Sequence, residues 1–217
     1  MDDEIEYMGK TDEREKYLAD LKEIIIKSNP SFVEGNCFYQ HCTLNLIHEF
    51  YSKQLNLYWA GKQATQSICE IGFNAGHSAM LMLLGRNKTP LNFTVFDIGG
   101  HPYTRPCFNY IQTSFPHVQF EYVEGDSTVT MPEWIKRNSM KYDVVHVDGG
   151  HTDHCIARDM KHTDLIVKTN GIVIIDDTNF ASINKFVDFY LSSGRYVELT
   201  VRNTDVCPHR VIKKIKD

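Results

Sequence analysis

The sequence predicts a doubly wound α/β fold, a mostly parallel sheet with helices on both faces. Three observations predict it. From Ser67 onward, short apolar runs alternate with stretches of helical spacing, as successive βα units require. The first run, Ser67-Ile68-Cys69-Glu70-Ile71, breaks into a turn containing Gly72 and Gly76, then opens into the helical Ser78-Ala79-Met80-Leu81-Met82-Leu83-Leu84. Later runs end in acidic residues, at the carboxyl edge where open α/β sheets bind their ligands.

Each element follows from local pattern. Residues 1–10 read as a frayed polar tail. Thr11 reads as an N-cap, with Asp12 and Glu13 in the first turn, where acids favour the helix dipole. Tyr17, Leu18, Leu21, Ile24 and Ile25 then recur at helical spacing, and Asn29-Pro30 stops the helix. Residues 42–51 read as a second helix leading to Tyr58 and Trp59, which read as core. Residues 1–66 are thus a mostly helical N-terminal extension, not an independent domain. The remainder, 67–217, carries strands at 67–72, 92–98, 118–123, 142–148 and 171–176. Helices are expected at 77–86, 104–115, 129–138, 153–168 and 180–193. Two closing strands, 195–201 and 209–215, are joined by a short connection with Pro208 and read as an antiparallel hairpin.

The bulk numbers narrow the function. The chain has 217 residues, 42% hydrophobic and 24% charged, ordinary for one soluble globular domain. Its net charge of −5 argues against electrostatic capture of nucleic acid. No segment has the apolar length of a membrane span. The acidic start, Met1-Asp2-Asp3-Glu4-Ile5-Glu6, lacks a signal-peptide pattern, so a cytoplasmic protein is expected. The six cysteines are scattered in a chain too large to need staples, and reduced thiols are expected. Cys37, His41 and Cys42 have no second ligand pair at zinc spacing. The Lys213-Lys214-Ile215-Lys216 end reads as a solvated strand tail.

The glycine turn narrows the cofactor. A dinucleotide fingerprint needs G-x-G-x-x-G, but Asn74 stands at its middle glycine and His77 at its third. Glu70 would repel a phosphate. An acid before a small-residue turn suits a ligand with a cationic amino group and no phosphates. Gly72 and Gly76 admit backbone angles closed to other residues and let a ligand approach the main chain. Further along, Asp97 ends the second strand 27 positions after Glu70, placed to accept hydrogen bonds from a ribose diol. Gly125-Asp126-Ser127 follows the third strand, where Asp126 is also a good N-cap. The fourth strand ends in Asp148-Gly149-Gly150-His151 and the fifth in Asp176-Asp177-Thr178. Adjacent carboxylates repel unless a cation lies near. With strands four and five neighbours, Asp148, Asp176 and Asp177 can converge on a hard-oxygen site for Mg²⁺.

The run Glu70-Ile71-Gly72-Phe73-Asn74-Ala75-Gly76 resembles the first motif of class I S-adenosylmethionine (SAM)-dependent methyltransferases, acid-x-Gly-x-x-x-Gly. With Asp148-Gly149-Gly150-His151 and Asp176-Asp177, the chain resembles their metal-dependent small-molecule and sugar O-methyltransferases, the macrocin O-methyltransferase-like branch. It departs from the catechol pattern, which has Asp-Asn where Asp176-Asp177 stands. The resemblance covers residues 67–217. It implies a Rossmann-like, seven-stranded, mostly parallel sheet with one reversed strand in the C-terminal hairpin.

Further implications follow by carry-over. Glu70, Gly72, Asn74, Gly76, His77 and Ser78 form the SAM turn. Asp97 binds the ribose, Asp126 the adenine amino group with Gly125 and Ser127 beside the ring, and Asp148 borders the cofactor. Asp148, Asp176 and Asp177 are the metal ligands, and His151 or Asp148 is the base. The reaction implied is methyl transfer to a hydroxyl of a small molecule or sugar, with Mg²⁺ lowering the hydroxyl pKa and His151 taking the proton. Two other readings remain open: a non-catalytic SAM-binding regulatory module, which would not need the carboxylate cluster, and a nucleic-acid methyltransferase, which the acidic balance disfavours. His146, alternating with Val145 and Val147, reads as packed on a sheet face. His101, Tyr103 and His154 have no spacing that compels a role.

Overall fold

The computed structural model describes residues 2–47, 50–202 and 208–217. Among them, strands β1 (Ser67–Ile71), β2 (Leu91–Asp97), β3 (Val118–Glu124), β4 (Tyr142–Val147), β5 (Val167–Ile175), β6 (Tyr196–Glu198) and β7 (Arg210–Lys214) form one sheet, in the order β3-β2-β1-β4-β5-β7-β6. The strands β1 to β5 pair in parallel, and β7 runs against both β5 and β6. The expected mostly parallel seven-stranded sheet with one reversed strand is present. The connection 203–207, including Cys207, lies outside the described residues.

Helices α1 (Asp2–Gly9), α2 (Thr11–Lys27), α3 (Tyr51–Gln63), α4 (His77–Arg86), α5 (Thr104–Ser114), α6 (Ser127–Arg137), α7 (Asp153–Ile166) and α8 (Ala181–Ser192) cover the sheet. Alternate residues of a strand point to opposite faces, and the core divides accordingly. Ile68, Val95, Val144 and Ile174 pack with residues of α2, α3, α4 and α5. Cys69, Phe96, Val145 and Ile175 pack with residues of α6, α7 and α8. Strand β5 begins before the expected position 171. Its pairing with β4 shifts register between Tyr142 and Val144, and Asn170 takes a left-handed conformation there, φ +70°.

The N-terminal region departs from expectation. Residues 2–9 are helical, not frayed. Tyr7 is 1% exposed, donates to Gln54 Oε1 at 2.7 Å, and lies under the Arg14 guanidinium. Tertiary contacts outweigh the polar composition of this segment. Thr11 is the first residue of α2 and no cap; Lys10 precedes the helix without a side-chain capping bond, and Thr11 Oγ1 donates to Met8 O. The helix expected at 42–51 is not formed over 42–47, where Tyr39 and Leu46 make an isolated bridge, and residues 48–49 lie outside the described set. The helix starts at Tyr51 instead.

Helices α3 and α4 pack with their backbones nearly in contact. A Cβ on Gly61 would lie 1.9 Å from Met82 O, and one on Gly85 2.0 Å from Tyr58 O. This close crossing lays α3 beside the carboxyl edge of the sheet. Tyr58 is buried and Trp59 packs against the same core, as expected. Lys214, read as part of a solvated tail, is instead buried, with its ammonium on Asp164 O at 2.9 Å. No helix among the described residues is long and apolar enough to cross a membrane.

Candidate active site

A cavity of about 810 Å³ opens at the carboxyl edge of β1, β2, β4 and β5, covered by the 34–41 segment and α3. Its floor is the turn between β1 and α4. Gly72 (φ +87°), Asn74 (φ +53°) and Gly76 (φ +77°) all take left-handed angles, which glycine and, less readily, asparagine accept. Gly72 lines the cavity and meets a second demand. Its absent Cβ would lie 1.9 Å from the carbonyl oxygen of Asp148, so glycine here admits β4's main chain.

Asp97 fastens this turn. Its Oδ2 accepts the N–H groups of Phe73 (2.7 Å) and Asn74 (2.9 Å), and Oδ1 accepts that of Gly99 (2.7 Å). A carboxylate offers about four lone-pair sites. Three are used by the chain, so room remains for about one ligand hydroxyl rather than a full diol. Asp126 caps α6 through the Thr128 N–H at 2.8 Å, which holds its carboxyl below the usual range. Gly125, Asp126 and Ser127 line the same cavity. Ser127 Oγ also donates to the buried Asp159 at 2.7 Å.

Asn74, Gly72, His77, Ser78, Asp97, Asp148, His151, Asp176 and Asp177 all line the cavity, whereas Glu70 and Gly76 do not. Glu70 is fully buried behind the turn. Its Oε1 accepts Ser78 Oγ at 2.5 Å and lies 2.9 Å from His146 Nδ1. Glu70 and His146 are register partners on β1 and β4, so they share a face, along with Asp148 and Asp176 two residues beyond His146 and its partner Ile174. His146, read as packed on a sheet face, is fully buried and does not line the cavity, but it packs directly behind Asp148 and Asp176. Its pKa is raised: burial opposes the charge, but the Glu70 bond and the charges of Asp148, Glu70 and Asp176 outweigh it.

The three aspartates expected at one point form two overlapping groups. Ligand atoms of His146, Asp148 and Asp176 lie within 4.8 Å of one another, as do those of Asp148, His151 and Asp177. Lys53, from α3, pairs with Asp176 Oδ2. Burial pushes Asp176 up, but the charges of Lys53 and His146 hold it below its ordinary value. Asp148 is pushed up by burial and by Asp176, against Lys53 and His146. His151 Nε2 lies 2.8 Å from Asp177, and that bond raises the imidazole pKa despite partial burial. Its ring leans on Phe180. His154 is exposed. His77 is buried against Phe38 and Tyr39, and burial lowers its pKa to about 3. His101 stacks on Tyr103 and meets Glu34 at 2.9 Å on the cavity rim.

Lys53 and His146 carried weak sequence signals. The one available for His146 is a polar residue inside an otherwise apolar strand; for Lys53 it is a cation on a helix whose neighbouring positions are buried.

Residues 69–178, just over half of the chain, match the family described as Methyltransferase domain. Among curated proteins nothing matches. Solved structures do. CalS11, a TDP-rhamnose 3'-O-methyltransferase of calicheamicin biosynthesis, is 14% identical over 77% of this chain and 80% of its own, with a TM-score of 0.61. TomG of Streptomyces achromogenes, an O-methyltransferase solved with SAM, is 13% identical over 76% and 80%, TM-score 0.58. An O-methyltransferase from Bacillus cereus in complex with SAH is 12% identical over 93% and 91%, TM-score 0.59. At such identities these likenesses are of fold. The family match covers the glycine turn, Asp97, Asp126 and both carboxylate groups: this chain belongs to the methyltransferase-domain family.

Proposed function

We propose that the protein is a SAM-dependent O-methyltransferase acting on a hydroxyl of a small molecule or sugar. The observation that carries this reading is the meeting, in one cavity, of the Asp97-fastened glycine turn with the Asp148, His151, Asp176 and Asp177 cluster. When bound, SAM supplies a methyl group on a sulfonium, already a good leaving group, so positioning falls to the protein. Asp97 has a lone-pair site left for a ribose hydroxyl, Asp126 faces the cavity for the adenine amino group, and Gly125 and Ser127 flank it. Glu70 acts from behind the turn, through Ser78.

In this proposal His151 receives the acceptor proton. Asp177 orients its ring through Nε2 and supports the imidazolium, as a carboxylate does for a general base. Asp148 is the second candidate base. The cluster also fits a divalent cation: Asp176 Oδ1 is buried with no partner among the described residues, and Asp148 lies beside it. Asp148, Asp176 and Asp177 would hold the ion, Mg²⁺ by the sequence resemblance, which would lower the pKa of an acceptor hydroxyl.

Residues 1–66 are proposed as an extension of the same body, since α2 and α3 share its core. Cys42, Cys69, Cys107 and Cys155 are free thiols, in keeping with a cytoplasmic location.

Calorimetric titration of chelator-treated protein with SAM, with and without Mg²⁺ and with NAD as control, tests the reading. Saturable SAM binding with no NAD response is expected. Absence of SAM binding would sink it.

A further inference from the structure

The deeper of the two groups in the cluster has the features of a built metal site. His146 is fully buried and Asp176 is 3% exposed. His146 Nε2 and Asp176 Oδ1 are both buried without a hydrogen-bond partner among the described residues. Buried polar atoms are rarely left so, and a bound ion is one of the few partners that satisfies a bare imidazole nitrogen and a carboxylate oxygen together. The other ring nitrogen, Nδ1, lies 2.9 Å from Glu70 Oε1. Glu70 thereby fixes the ring, and a metal ion at Nε2 would displace any proton there, as metal binding to imidazole does.

We infer that His146, Asp148 and Asp176 form a mixed nitrogen–oxygen metal site that takes a first-row transition ion, such as Mn²⁺, Fe²⁺, Co²⁺ or Zn²⁺, in preference to Mg²⁺. Imidazole suits the transition ions, whereas Mg²⁺ selects oxygen donors. Glu70 is the positioning residue for the imidazole, and Lys53 holds the second oxygen of Asp176. Asp177, paired with His151, stays outside this set, so His146 takes the place that the sequence resemblance gives to Asp177, and a transition ion takes that of Mg²⁺. The inference shares its location with the proposed methyltransferase site, and it is tested by metal binding without turnover.

The probe is Mn²⁺ added to chelator-treated, full-length protein, read by pulsed electron paramagnetic resonance. Expected is ¹⁴N coupling from a bound imidazole that persists in the exposed-site variant His151→Gln and vanishes in His146→Gln. Glu70→Gln should weaken Mn²⁺ binding roughly 10- to 100-fold, as loss of an orienting carboxylate does. Zn²⁺ should displace the Mn²⁺ at far lower concentration than Mg²⁺. Bound Mn²⁺ without ¹⁴N coupling overturns the inference and leaves an all-oxygen site. Coupling that disappears in His151→Gln also overturns it, since the ion then sits in the outer group. The wild type and His151→Gln decide the matter even if His146→Gln does not fold. Failure to bind any divalent ion removes metal from both readings, while the SAM titration still decides methyl transfer.

Discussion

Asp97 Oδ2 lies 2.7 Å from the main-chain nitrogen of Phe73, so the acid at the end of β2 holds the glycine turn after β1. The same carboxylate takes Asn74 and Gly99. Hydrogen bonds to a charged group contribute about 1.5–3 kcal/mol each. Asp97→Ala is expected to destabilise the protein by about 2–4 kcal/mol and to abolish measurable SAM binding. Denaturant unfolding and calorimetry check the two effects; wild-type SAM affinity in this variant would refute the role.

Gly72→Ala places a methyl group against the Asp148 carbonyl at a left-handed φ. Overpacking and backbone strain each cost about 1–3 kcal/mol. A lower melting temperature and loss of methyl transfer are expected together, because relief of the clash must move Asp148. An unchanged melting temperature would contradict the geometry.

Lys53 and Asp176 form a buried pair between α3 and the end of β5. Removing one partner of such a pair costs about 3–5 kcal/mol, because the other charge is left buried. Lys53→Met is expected to fall in this range, and the double variant with Asp176→Asn should recover a large part of the loss. A double-mutant cycle measures the coupling; simple additivity would show that the pair is not coupled.

His151→Gln should leave SAM affinity unchanged and lower the methyl-transfer rate by a factor on the order of 10²–10⁴, the usual contribution of a general base. Asp177→Asn should give part of the same loss, as it frees the imidazole to rotate. Single-turnover kinetics with bound SAM separate these effects from binding. A full rate in His151→Gln would transfer the base role to Asp148.

Burial pushes the Asp159 carboxyl up to about 6, with Ser127 opposing the shift. The folded protein therefore holds this proton more tightly than the unfolded chain, whose Asp titrates near its ordinary 3.8. The stabilisation is complete below that value and is lost as pH rises through about 6, a change of roughly 3 kcal/mol. Asp159→Asn should remove this contribution from the stability profile measured by urea unfolding at pH 4 to 7. An identical slope in wild type and variant would exclude Asp159 as its source.

The strands and the helices from α4 onward were legible because their signals are local. Apolar β-branched runs such as Gly171-Ile172-Val173-Ile174-Ile175 and helical repeats such as those of α4 encode themselves within a few residues. So does the glycine turn, whose missing dinucleotide glycines were visible one by one. The acids at positions 97, 126, 148, 176 and 177 were legible for the same reason, each ending an apolar strand or opening a helix. Residues 2–9 and 42–51 were misread because their conformation depends on partners far away: Tyr7 is helical and buried through Gln54, 47 residues on.

Sequence pattern alone sufficed for the sheet, the order of its units and the edge at which the cavity opens, since periodicity and turn chemistry are properties of neighbouring residues. Register and helix docking determined the rest. Pairing of Glu70 with His146 across β1 and β4 placed the acid of the glycine turn behind the cavity wall and the packed histidine beside Asp148 and Asp176. The close approach of α3 to α4 carried Lys53 to Asp176, 123 positions away. No local pattern specifies which strand face meets which helix; the mutual burial of surfaces distant in sequence does.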